Sequence, residues 1–360
     1  MSRGPGARFG TALRSGALAA ALVAALGGCA TGASAHAPAG GPAAELRLGY
    51  FDNVTHAPAL VGLEKGLLQD ALGDTELTGQ AFAAGPAVIE ALSAGAIDAA
   101  YAGPNPAVNS FVQSAGASVR VVAGAASGGA ALVVRPGIDR PADLAGKTLA
   151  TPQLGNTQDA ALRTWLAGQG FDTDTTGGGE VRITPTESAQ TLALFQGGKI
   201  DGAWLPEPWV SRLVIEAGAK VLVDEASLWQ DGAFPTTVLL VRSEFLRDHP
   251  DTVRALVTGH TASVAWLTGH PDEAAVVINT RLAADTGKAL PDAVLERALG
   301  TVRFTTDPLA GTFPTLLKAG VAAGTAKQGD LHGLFDLSLV NDVRAESGAD
   351  PVSARGLGKD

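Results

Sequence analysis

Residues 95–106 read GAIDAAYAGPNP, and residues 198–208 read GKIDGAWLPEP. Each stretch follows an apolar-periodic segment that ends at glycine (Ala87–Ala94 and Gln190–Gly197). Each then gives Ile-Asp-small-Ala-aromatic and closes on Pro-x-Pro, the first copy with one extra residue. Periodic residues ending at glycine mark a helix, and a short apolar run before proline marks a strand. The pair is therefore read as one helix–strand–corner unit occurring twice, either in two lobes or as a generic unit used twice in one sheet. A second echo favours two lobes. Ala131-Leu132-Val133-Val134-Arg135 and Val238-Leu239-Leu240-Val241-Arg242 are matching apolar strands about a hundred residues apart. If both cross between lobes, they form a two-strand hinge of the kind on which domains close.

Outward from these repeats the pattern alternates. The first lobe reads as strand 46–51, helix 56–65 ended by Gly66, strand 75–82, helix 86–94, strand 97–101 and strand 119–124. The second reads as strand 147–151, helix 157–167 ended by Gly168, strand 180–184, helix 187–196, strand 200–204 and strand 219–223. Alternating short strands and helices predict an α/β fold with a flanked sheet in each lobe. Residues 244–345 read as mostly helical and as packing back on the first lobe. The expected divisions are 45–130 (lobe one), 131–237 (lobe two), 238–345 (return to lobe one) and 346–360 (tail).

The N-terminus speaks to compartment. Arg3, Arg8 and Arg14 precede an apolar run from Gly16 to Leu26, with no acidic residue among them. The run is shorter than the roughly 20 residues a spanning helix needs, so residues 1–28 read as a signal peptide. Leu26-Gly27-Gly28-Cys29 looks like a lipobox, whose cysteine sulfur carries the lipid anchor. Cys29 is the only cysteine, so no disulfide framework is possible. Two acyl chains anchor stably where one does not, which suits diacylglycerol at this position. Residues 29–44, small and Pro/Gly-rich, read as a flexible tether. Losing three arginines with the leader moves the formal charge from −10 to −13. The acidity is spread along the chain with no basic stripe, which argues against a nucleic-acid partner.

Ligands of open α/β sheets bind beyond the carboxyl ends of strands, where helices begin. Six loops lie there: Asp52–Pro58, Ala84–Ala87, Ser127–Gly129, Thr151–Asp159 and the two Pro-x-Pro corners. None contains lysine or arginine, and His56 is their one possible cation. An anion would be held by the unpaired N–H groups and partial positive charge of helix starts. Trp209, beyond its strand, is expected to face the solute, with Tyr101 and Trp204 in the core. Glu207 reads either as an ammonium or water holder or as a solvated loop acid. The histidines at 249, 260, 270 and 332 share no metal-like spacing.

At these residues the chain resembles the substrate-binding lipoproteins of ABC importers for nitrate, sulfonates and taurine. The matching segments are LRLGYFDNVTHAPALVGLEKGLL, AGPAVIEALSAGAIDAAYAGPNPAV, GKTLATPQLGNTQDAALRTWL and IDGAWLPEPWVSRL. The resemblance implies the two-lobed type II periplasmic-binding fold, with the second lobe inserted in the first and two hinge strands between them. It implies a non-enzymatic, cofactor-free and metal-free monomer, anchored to the outer face of the cell membrane, that hands a small solute to an ABC permease. Carried over residue by residue, the ligand contacts are Asn53, His56, Gly85, Asn105, Ser127, Asn156, Thr157, Glu207 and Trp209. The family also resembles binders of thiamine-precursor pyrimidines. A separate reading is an exported lyase or dehydratase with His56 and Glu207 as a base and acid pair.

Overall fold

A computed structural model describes residues 41–360 of the chain. The leader, Cys29 and most of the tether lie outside the described residues. The chain first forms β1 (Glu45–Tyr50), α1 (Ala57–Glu64), α2 (Leu67–Leu72), β2 (Glu76–Ala81), α3 (Gly85–Ser93), β3 (Ala99–Ala102), α4 (Pro104–Gln113) and β4 (Val119–Gly128). It continues with β5 (Ala130–Val134), β6 (Thr148–Thr151), α5 (Thr157–Gly168), β7 (Arg182–Pro185), α6 (Ser188–Gln196), β8 (Gly202–Pro206), α7 (Trp209–Ala217) and β9 (Lys220–Asp224). The return comprises β10 (Pro235–Arg242), α8 (Ser243–Asp248), α9 (Pro250–Gly269), α10 (Pro271–Thr286), α11 (Asp292–Leu299), β11 (Val302–Phe304), α12 (Phe313–Ala322), β12 (Phe335–Asp336), α13 (Ser338–Glu346) and β13 (Gly358–Lys359).

Two sheets result. The larger runs β13-β12-β4-β10-β3-β1-β2, with β11 added on β4, and the smaller runs β7-β6-β8-β5-β9. The segments β2-β1-β3-β10-β4 and β7-β6-β8-β5-β9 have the same order and the same pattern of parallel and antiparallel pairs. This is the two-lobed periplasmic-binding fold, α/β throughout, with a mixed sheet in each lobe. In β5, Ala131 and Val133 join the core on one face of the smaller sheet, and Leu132 and Val134 join the core on the other. Burial on both faces explains its unbroken apolar run.

The sequence repeat has a structural cause. Asp98 N–H donates to the Arg47 carbonyl, and the Asp98 carboxylate accepts from Arg47 N–H at 3.1 Å. Asp201 N–H donates to the Thr148 carbonyl, and its carboxylate accepts from Thr148 N–H at 2.8 Å. Arg242 N–H and Arg135 N–H then bond the carbonyls of Asp98 and Asp201. Each Ile-Asp thus clasps the edge of the preceding parallel strand, and each Val-Arg closes on that aspartate. Because the aspartates make these clasps, β3 and β8 begin later than the apolar pattern predicts.

The passages between sheets differ from the expected hinge in one respect. The two Val-Arg runs do not cross: β5 lies in the smaller sheet and β10 in the larger. The chain crosses at Gly128-Gly129, between β4 and β5, and again through residues 225–234. The crossings lie side by side, with Gly128 N–H donating to the Phe234 carbonyl and the Thr236 hydroxyl to the Gly128 carbonyl. Both glycines have positive φ, 82° and 70°, and a Cβ at Gly128 would sit 2.6 Å from the Thr301 carbonyl oxygen. No other residue fits both demands.

Two further expectations are corrected. Residues 346–360, read as a tail, bury Val352 and Ala354 and end in β13, an edge strand beside β12. The returning helices pack on more than the first lobe, because α11 lies against α7 and α12 against α4 and α5. Their attachment to both halves could not be read from local pattern.

The second crossing carries a buried acid. Glu225 accepts from Trp204 Nε1 at 2.7 Å and is pushed up to about 7, chiefly by its burial. An acid whose folded pKa exceeds its unfolded value contributes stability below the unfolded pKa, lost as pH rises through the folded one. The stability of the native chain relative to Glu225→Gln is therefore expected to fall between about pH 4.5 and 7 and to level above that. Urea unfolding of both proteins across this range measures it, and a flat difference would contradict the assignment.

Candidate functional site

The loops at the ends of β1, β2, β3, β6 and β8 meet across a cleft between the sheets. Its inner part is a cup of about 20 Å³, walled by Thr55, His56, Ala84, Gly103, Asn156 and Gln158 among others. That is room for about one water. Its outer part is a recess of about 380 Å³, reached past Phe51, Asn53, Ala83 and Ser188, which border both spaces. Helices α3, α4, α5 and α6 begin at or beside these walls. Proline in the first turns of α1, α3 and α4 sits where its missing N–H costs nothing.

The expected residues sort into three groups. Asn53, His56, Asn156 and Trp209 border the cleft. Trp209 Nε1 donates to Asn53 Oδ1 at 2.8 Å and so bridges the two lobes across the outer recess. His56 is fully buried, stacks on Phe51 with ring centroids 4.3 Å apart, and accepts from Phe51 N–H through Nδ1 at 3.2 Å. Burial lowers its pKa to about 3, so the one possible cation of these loops is neutral. The accepted bond fixes its proton on Nε2, leaving that nitrogen as a donor.

Gly85, Asn105 and Thr157 form the packed seam where the lobes touch behind the cup. A Cβ at Gly85 would lie 2.4 Å from Pro106 Cγ and 3.2 Å from Asn156 Oδ1, so the close approach demands glycine. Asn105 N–H points to Thr157 Oγ1 at 3.4 Å, and its side-chain amide donates to the Leu316 carbonyl. Its buried Oδ1 has no partner among the described residues.

Ser127 and Glu207 lie elsewhere. Ser127, at the end of β4, borders a separate shallow hollow with Gly128 and residues 300–303. Glu207 is neither a solvated loop acid nor a wall of the cleft. It is buried, accepts from Arg297 at 3.0 Å and from Ser211 N–H at 2.9 Å, and lies 3.5 Å from the Thr301 hydroxyl. Burial raises its pKa, while the Ser211 bonds and the Arg297 charge oppose that rise. With Glu207 engaged by Arg297 and His56 Nδ1 by Phe51, each partner of the base and acid pair has its own separate bond.

Several site residues were not anticipated. Phe82 follows β2 and Ser188 opens α6, both at strand-to-helix ends that the pattern exposed. Arg212, Lys288, Leu290 and Pro291 also wall the recess. The last three come from the α10–α11 link, whose proximity depends on tertiary packing alone. Asp52, on the same wall, is pushed up to about 6 by burial and the neighbouring Asp285. Tyr50 donates to Asp285 at 2.8 Å, and Arg281 donates to Asp285 and Tyr50, which ties this end of β1 to α10.

Residues 39–283 match the NMT1-like family. Over 177 residues the chain is 32% identical to the taurine-binding periplasmic protein of Escherichia coli, covering 48% of this chain and 52% of that protein. A putative aliphatic sulfonates-binding protein of Bacillus subtilis is 27% identical over 239 residues, covering 64% of this chain and 68% of the relative. The chain thus spans about half the length of the first relative and about two thirds of the second. The solved alkanesulfonate-binding protein of Xanthomonas axonopodis pv. citri, bound to MOPS, superposes with a TM-score of 0.66 at 23% identity. That match covers 79% of this chain and 95% of the other and is a likeness of fold.

Proposed function

From the premise that the chain belongs to the NMT1-like family, we propose that it is the extracytoplasmic solute-binding component of an ABC importer. It encloses a small organic anion of the sulfonate class between its lobes and delivers it to a permease. The observation that carries this reading is the cleft itself. Strand ends from both sheets face it, several helices begin on it, and the Trp209–Asn53 bond spans it.

The chemistry of the walls favours an anion held without a formal countercharge. The inner cup has no lysine or arginine on its walls, and His56 is neutral. Each helix start offers unpaired N–H donors and roughly half a positive charge, and convergence of several compensates one negative charge. A sulfonate remains ionised across the physiological range, so its capture does not compete with protonation. Glu207 is occupied by Arg297 and supplies no ammonium site, which removes an argument for taurine over a plain alkanesulfonate. The role of binder rather than enzyme accords with the relatives' names.

A thermal-shift screen over sulfonates, taurine, nitrate, sulfate and pyrimidines tests the reading. A cognate solute at a hundredfold excess over Kd stabilises by about 2.7 kcal/mol, a rise of roughly 5 °C for a chain of this size. A shift with pyrimidines alone would replace the ligand class, and no shift with any would remove the assignment. The reading also includes a lipid anchor on Cys29 and a monomeric body. Detergent phase partitioning is expected to place the native protein in the detergent phase and Cys29→Ser in the aqueous phase; the same phase for both would refute the anchor.

A further inference from the structure

Resting on the solute-binding reading, we infer that Asp52 makes anion capture depend on pH: its neutral carboxyl admits an anion to the outer recess, and its carboxylate opposes one. The recess, at about 380 Å³, is the part of the cleft with room for a whole small solute. Asp52 stands on its wall, in the loop that follows β1, and its buried Oδ1 has no hydrogen-bond partner among the described residues. Ionising a carboxyl with an unpaired buried oxygen is costly. Asp285, from α10, is its neighbouring acid, and the bonds that stabilise a carboxylate go to that residue instead. Arg281 reaches both Asp285 oxygens, at 2.9 and 2.8 Å, and Tyr50 donates to one of them at 2.8 Å. Of the two acids, Asp52 is thus the one left to carry a proton.

The neighbouring elements contribute further charged groups. On β1 and the loop after it, burial pushes Tyr50 up to about 12 and His56 down to about 3, so neither changes charge near neutrality. Arg281 is paired with Asp285 on α10, and Arg212 with Glu216 on α7. Lys288, on the α10–α11 link, and Glu187, before α6, complete the wall with opposite signs. Asp52 itself is pushed up to about 6, first by burial and then by Asp285, so it gains its charge in the weakly acid range. A sulfonate is ionised throughout that range, so the pH response belongs to the protein. Above about pH 6 Asp52 is negative and repels the anion, and below it the repulsion is gone. Two like charges about 4 Å apart in water cost roughly fivefold in affinity, and more where the wall excludes solvent. By linkage, an anion that favours the neutral form takes up a proton as it binds.

Titration calorimetry of the native chain with ethanesulfonate at about pH 5 and about pH 7.5, in buffers of different ionisation heat, tests this. Binding is expected to be at least about fivefold tighter at the lower pH, with net proton uptake between the two. In Asp52→Asn both the pH difference and the proton uptake are expected to vanish, and binding at the higher pH to tighten about fivefold. Asp285→Asn serves if that variant fails to fold. With the neighbouring charge removed, the loss of affinity is expected to begin at lower pH, and an unmoved response would overturn the inference. Equal affinity at both pH values in the native chain would overturn it too and leave the solute-binding reading standing. So would a pH difference that survives in Asp52→Asn, by assigning it to another acid such as Glu207 or Glu225. No binding of ethanesulfonate at either pH would defeat the sulfonate reading and the inference with it.

Discussion

The cleft depends on two backbone segments that run side by side between the sheets. At Gly128-Gly129 the chain leaves the larger sheet, and at Phe234-Pro235 it returns, with Gly128 bonded to both Phe234 and Thr236. The smaller sheet is built wholly from β5–β9, between the crossings, and the larger takes β10 from the returning chain. Only the larger half needs both crossings to be complete. The side-chain bonds between the halves are of another kind. Trp209–Asn53, beside the outer recess, and Arg297–Glu207, away from the cleft walls, form no part of either sheet. Two adjacent crossings of this kind are the geometry about which domains close.

The electrostatics of the cleft follow from how it is built. Strand ends and helix starts meet there because both halves share one strand order, so the partial positive ends of helices gather on one space. Burial keeps His56 uncharged, and Arg297 holds Glu207 away from the solute path. The formal charges of the cleft lie around the outer recess, where Arg212 and Glu216 compensate each other beside Asp52, Glu187 and Lys288. On the proposed reading, helix-end dipoles rather than a countercharge hold the anion in such a site.

What the sequence disclosed, and what it hid, divides along a physical line. The repeat around Asp98 and Asp201 was legible because its parts are local: a helix-ending glycine, a short apolar strand and a proline corner. Its cause, a clasp on the neighbouring strand, was not legible, since Arg47 and Thr148 lie about fifty residues upstream. Asn53, His56, Asn156 and Trp209 could be placed on the border of the cleft because strand ends reveal themselves. Lys288 and Leu290 were missed because the α10–α11 link reaches the cleft only through packing. Whether His56 carries charge was not legible for a related reason, since burial is a property of the assembled lobes. The tail was misread because β13 has only two residues, Gly358 and Lys359, too few to form a pattern.

The central claim is that a solute is enclosed by lobes turning about the paired crossings. Single-molecule energy transfer across the cleft tests it most directly, with dyes at Asp70→Cys on α2 and Lys199→Cys before β8, both exposed, in a Cys29→Ser background. The account predicts a transfer distribution that shifts to one narrow population on adding a solute that calorimetry shows to bind. An identical distribution with and without that bound solute would contradict it.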